Sequence, residues 1–81
     1  MSNYVRAKFN RVNKPYSKFK AFLEEKNISQ ARVAEIIGKT NTTFNQNLNG
    51  TAGDFTMSDV RKMCLEFKIS SDEFFINQNV S

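Results

Sequence analysis

Residues 30–50 read QARVAEIIGKTNTTFNQNLNG, and the placement of apolar side chains in this stretch decides the fold. Val33, Ala34, Ile36 and Ile37 supply the inner face of a helix only two turns long, which Ser29 can cap and Gly38 stops. Thr40 can cap a second short helix. In it Phe44 and Leu48, four apart, form one narrow apolar seam before Asn49-Gly50 ends it. Two short helices joined by Gly38-Lys39-Thr40, with the small Ala34 facing inward and amides covering the outer surface of the second, predict a helix-turn-helix.

Upstream, Tyr16, Phe19, Phe22 and Leu23 recur at the three-to-four spacing of one helical face, which predicts a helix over 16–26. Asn27 follows where a left-handed residue is wanted, a conformation Asn tolerates better than any residue but Gly. Downstream, GTAGDF (50–55) reads as a loop, and Thr56-Met57-Ser58-Asp59 as a capping box for a helix with Val60, Met63, Cys64 and Phe67 inward. Ser70-Ser71-Asp72-Glu73 reads as a second box, opening a short helix that brings Phe74 and Phe75 to the core. Pro15 disfavours helix in the residue before it and suits the first turn after it. The prediction is an all-α, compact five-helix domain over 16–76, behind an arm (1–15) and ahead of a tail (77–81). Within the arm, Val5, Ala7 and Phe9 alternate with polar neighbours, so a short strand is the alternative to an extended arm.

Eighty-one residues leave room for one domain, with no sensor or second catalytic unit. At 40% hydrophobic and 25% charged, the composition excludes disordered, collagenous and coiled-coil classes. A single Cys, Cys64, with no His forms neither an internal disulfide nor a zinc site, and no cofactor or metal is expected. No apolar run suffices for a membrane span or a signal peptide, so a cytoplasmic protein with no membrane partner is expected. Four of the twelve basic residues, Arg6, Lys8, Arg11 and Lys14, lie in the first fifteen positions without an acid. That leaves eight basic against eight acidic groups elsewhere. Such an arm suits phosphate, because cations displace condensed counterions on binding, although solubilising tails share the composition.

The 30–50 stretch resembles the helix-turn-helix of the lambdoid phage repressors, the Cro proteins and the wider xenobiotic-response-element-type family. Gln30 opens the motif, Ala34 is the small residue where the helices cross, Gly38 is the turn and Phe44 the inward residue, and Leu48-Asn49-Gly50 is similar to the family's closing LNG. The likeness extends to Phe19, Phe22 and the Asn27-Ile28-Ser29-Gln30 junction, and to Val60–Phe75, similar to final helices ending in S..ELF. It thus covers residues 16–76. The sequence departs from the family at Asn27 and Lys68, where Gly is commonest. It departs again at Asn47, which replaces an apolar residue and predicts a more lightly anchored second motif helix. Ser29 is followed three residues on by Arg32, so that helix start has no capping box. The fifteen-residue arm is longer than the family explains.

The resemblance implies a sequence-specific regulator of double-stranded DNA, repressor- or Cro-like and from a phage or mobile element, with base readers Asn41, Thr42 and Gln46. The helical wheel, opposite Phe44 and Leu48, gives Thr42, Asn45, Gln46 and Asn49. Gln and Asn can bond both N6 and N7 of adenine, and Thr offers a methyl to thymine's, so an A·T-rich operator is expected. Phosphate contacts are expected from Ser29 and Gln30, from Lys39, Thr43 and Asn49, and from Arg6, Lys8, Arg11 and Lys14 of the arm. One short helix reads few base pairs, which predicts a homodimer on DNA, with Leu65, Ile76 and Val80 as its contact residues. Control then falls to the protein's own concentration or to a competing phage regulator. Catalysis has no basis: there is no His, no phosphate-cradling Gly loop and no nucleophile paired with a base, so the chain is read as no enzyme. The rival is a protein-interaction module that binds a repressor or toxin, favoured by a second motif helix without Lys or Arg.

Overall fold

The computed structural model describes residues 13–76. Five helices follow in chain order: α1 (Ser17–Glu25), α2 (Gln30–Ile37), α3 (Asn41–Asn49), α4 (Met57–Phe67) and α5 (Asp72–Ile76), with no strand among the described residues. The strand alternative for Val5–Phe9 and the tail 77–81 lie outside them.

Helix ends follow from local chemistry. Ser29 Oγ accepts from the Arg32 N–H (3.1 Å), Thr40 Oγ1 from the Thr43 N–H (3.1 Å) and Thr56 Oγ1 from the Asp59 N–H (3.0 Å), each satisfying an orphan donor of a first turn. Asp59 returns the bond to the Thr56 N–H at 2.9 Å, completing the expected capping box. At the Ser70 start the hydroxyl arm forms, accepting from the Glu73 N–H at 3.3 Å, and the chain then winds as one wide π turn over α5. The exits of α1, α2 and α3 share one geometry. Asn27, Gly38 and Gly50 take positive φ (58°, 74° and 74°), and paired amides behind them reach back to the last-turn carbonyls, as in Ile28 N–H to Leu23 O and Lys39 N–H to Ala34 O. Lys68 also takes positive φ (55°), as the family's Gly at that place foreshadowed.

α2 packs on α3 and α4, while α1 closes the other side against α3 and α5. Phe19, Val33, Phe44, Leu48 and Met63 are wholly buried, and Ala34 lies with them where α2 and α3 cross. Around Phe19 the rings stack into a continuous cluster: Phe75 at 4.9 Å, Phe22 at 6.1 Å and Phe67 at 6.4 Å. Phe55 enters this core from the 50–55 loop, touching Phe44 (5.6 Å), Tyr16 (5.2 Å) and Phe75 (6.1 Å). Cys64 is half-buried against the core, and burial pushes its thiol above the ordinary range, which suits packing rather than reactivity.

The expectation for Asn47 is corrected. Its side chain is buried to 3% exposure, and both ends of its amide are used: Oδ1 accepts from Lys39 Nζ (2.6 Å) and Nδ2 donates to the Ala52 carbonyl (3.1 Å). A buried amide with both ends satisfied ties α3 to the turn before it and the loop after it, where an apolar residue would only pack.

Candidate nucleic-acid interface

α3 has no charged residue, and its outward side meets the start of α2. Asn41, Thr42, Asn45 and Gln46 line one shallow open depression together with Gln30, so the four expected base readers share a single polar surface. Phe44 and Leu48, on the opposite side, are sunk in the core and fix the rotation of the helix. Gln30 does more than flank this surface. Its Oε1 accepts from Asn45 Nδ2 at 3.1 Å, bridging α2 to α3 across the depression. That bond takes one amide hydrogen of Asn45 and leaves the second hydrogen and the carbonyl oxygen, the donor–acceptor pair that adenine's N7 and N6 accept and supply.

The expected phosphate ligands are spread more unevenly. Ser29 is exposed at the α2 start with its hydroxyl engaged in the cap. Thr43 is half-buried and accepts from Thr40 Oγ1 at 3.0 Å. Asn49 donates through Nδ2 to the Asn45 carbonyl (3.0 Å). Lys14 is exposed at the foot of the arm, while Arg6, Lys8 and Arg11 lie outside the described residues.

Lys39, also expected at a phosphate, lies apart from the others. Its ammonium points inward, 2.7 Å from Asp59 Oδ2 and 2.6 Å from Asn47 Oδ1, with its charge 5.6 Å from the centre of the Phe55 ring. Burial of Asp59 opposes its ionisation, but the Lys39 hydrogen bond, the Thr56 N–H and the Lys39 charge together hold its carboxyl below the usual carboxylate range. In this arrangement the ammonium ties together the junction of α2, α3 and α4. Arg32 is likewise engaged, pairing with Glu66 of α4 at 3.1 Å on the surface.

One residue near the interface was not anticipated. Lys20 on α1 donates from Nζ to Asn49 Oδ1 at 3.3 Å, placing a cation at the α3 C-terminus. Its neighbours in sequence give no sign of this, because the partner lies twenty-nine residues away.

On α4, Met57 and Leu65 are 73% and 76% exposed, and they edge an apolar groove with Val60, Cys64 and Ile69. Ile76 is 63% exposed, and Val80 lies outside the described residues. Among the described residues no helix is long and apolar enough to cross a membrane, and no cluster of His, Cys, Asp or Glu could hold a metal.

The family described as the Cro/C1-type HTH DNA-binding domain matches residues 18–78, three quarters of the chain, spanning all of α2 to α5 and the surface just described. Comparisons with curated proteins and with solved structures found no match.

Proposed function

We propose, because the chain belongs to the Cro/C1-type HTH DNA-binding domain family, that it is a sequence-specific transcriptional regulator that lays α3 in the major groove of duplex DNA. The observation that carries this reading is the uncharged polar depression formed by Gln30, Asn41, Thr42, Asn45 and Gln46 on the exposed side of the second helix of the motif. Amide and hydroxyl groups discriminate base edges without binding phosphate indiscriminately, and adenine and thymine are the bases they suit best. The regulator is repressor- or Cro-like, of phage or mobile-element type, with its control set by concentration or by a competing regulator.

Gln46 tests the reading. Gln46→Ala is expected to cost about 1–3 kcal/mol on the preferred duplex and to relax the preference at one base pair, with nonspecific affinity and salt dependence unchanged. Sites selected from a random pool before and after the substitution give the measurement. A rival role as a protein-interaction module draws on the neutrality of α3. It would displace the DNA reading if Gln46→Ala left DNA binding untouched but weakened capture of a partner repressor or toxin.

The regulator acts as a homodimer on two symmetric half-sites, because one short helix contacts few base pairs and two-fold repetition doubles the readout. The exposed Leu65 and Ile76 are the contact residues supported by their uncovered apolar surface. Sedimentation is expected to show a dimer on a palindromic duplex that Leu65→Lys with Ile76→Lys converts to a monomer. A monomer for the unsubstituted chain, free and on that duplex, would remove the claim.

A further inference from the structure

With no charge on α3, any cation that grips a phosphate beside its polar surface has to come from other elements, and two observations converge on the C-terminal end of the helix. The first is Lys20, whose Nζ donates to Asn49 Oδ1 (3.3 Å) while Asn49 Nδ2 donates to the Asn45 carbonyl (3.0 Å). Positions 45 and 49 are four apart and so share one side of the helix. The ammonium therefore stands one turn beyond Asn45, on the side that carries the depression.

The second observation is a strap. Residues 13–16 are stitched across the end of α3 by Tyr16 N–H to Leu48 O (2.9 Å), Asn13 N–H to Gly50 O (3.0 Å) and Asn13 Nδ2 to Gly53 O (2.8 Å). Tyr16 Oη locks it further, donating to Asp54 Oδ1 at 2.6 Å. Burial, the bond to Asp54 and its negative charge keep that phenol protonated well past its ordinary range. Gly50 makes the crossing possible: besides its left-handed φ, a Cβ there would collide with the Asn13 carbonyl. The exposed Lys14 sits in this strap, its backbone against Gly50. Two cations close in sequence thus come to the same helix end, the Lys20 ammonium through its bond to Asn49 and the Lys14 backbone through the bonds of its neighbours Asn13 and Tyr16.

We propose that Lys20 together with Lys14 forms a phosphate clamp for the DNA backbone that passes the C-terminal end of α3. The clamp rests on the reading of α3 as the DNA-facing helix. An ammonium has three donors, and Lys20 commits one to Asn49, which pins the long side chain and leaves two for phosphate oxygens. Attraction of a cation to the carbonyl pole of α3 would place Lys20 similarly, and that is the alternative to be separated from the clamp.

The test uses the full chain, a preferred duplex and a random-sequence duplex, with affinities measured between about 50 and 200 mM salt. Lys20→Gln is expected to reduce the slope of log K against log salt by about 0.9, one phosphate's worth, equally on both duplexes and with the melting midpoint unchanged. Lys14→Gln should behave alike, and Lys20→Arg should keep the slope. An unchanged slope with a lowered melting midpoint in Lys20→Gln would overturn the clamp and leave Lys20 as a helix-end stabiliser. If the unsubstituted chain bound neither duplex, the clamp and the DNA reading would fall together.

Discussion

Replacing Lys39 with alanine is expected to cost the fold about 3 kcal/mol, read as a shift of the denaturant midpoint at constant slope. The loss comes from what is left behind. The Asp59 side chain is 7% exposed, and without Lys39 its carboxylate keeps only the Thr56 capping bonds, while Asn47 Oδ1 loses its donor deep under α3. Breaking a buried pair typically costs about 3–5 kcal/mol. The lower end applies because the Lys39 side chain retains 21% exposure, through which water can partly replace it. Lys39→Met combined with Asp59→Asn is expected to recover part of the loss, since no charge is then stranded. A loss below about 1 kcal/mol in Lys39→Ala would show the pair behaving as a surface contact.

The same pair sets an acid limb. Asp59 is held below its unfolded value, so the stability it contributes is complete above the unfolded carboxylate pKa, about 3.9, and is lost as pH falls through the lower, folded value. Protonation removes the charge that Lys39 and the Thr56 N–H satisfy. Stability measured on descending pH should therefore fall less steeply in Asp59→Asn than in the unsubstituted chain. Because Asp59 is also the N3 residue of α4, this limb reports on the helix start as well as on the α2–α3 turn.

Which features could be read from sequence follows from how local their chemistry is. Ser29, Thr40 and Thr56 cap their helices, and Asn27, Gly38 and Gly50 end them, because caps and left-handed exits involve residues within a turn of one another. Likewise Phe44 and Leu48 follow from spacing alone, and with them the rotation that turns Thr42, Asn45 and Gln46 to one side, where Asn41, expected from the family resemblance, joins them. What spacing does not carry is the choice of partner across the fold. Lys39 sits on a polar turn where a cation ordinarily faces water, and only the approach of Asp59 from α4 draws it inward. Asn47 breaks the apolar pattern, and its burial makes sense only once Lys39 and the Ala52 carbonyl are beside it. Phe55 lies in a loop rich in Gly and Asp yet becomes the ring that joins Phe44 to Tyr16 and Phe75. Lys20 reaches Asn49 from another helix, so its place at the interface edge is a product of tertiary packing.

Phe44→Ala is expected to remove about 3–5 kcal/mol of folding stability, as deletion of a buried aromatic from a close-packed core does. Phe44 is wholly buried on the inner side of α3, and its ring lies 5.6 Å from that of Phe55, so the substitution empties the contact by which the 50–55 loop and α3 share one core. Domains of this size are marginally stable, with about 5–15 kcal/mol in all, so much of the chain would be unfolded at modest denaturant or temperature. DNA affinity should drop in proportion to the unfolded fraction, on preferred and random duplexes alike, and return as the temperature is lowered. Gln46→Ala, two positions along on the outer side, should show the reverse pattern: an unchanged melting midpoint and a loss confined to the preferred duplex. If Phe44→Ala melted like the unsubstituted chain, the inner side of α3 would be misassigned. The outward placement of Asn41, Thr42, Asn45 and Gln46 would fail with it, because a rotation of the helix that frees Phe44 carries those four side chains into the core.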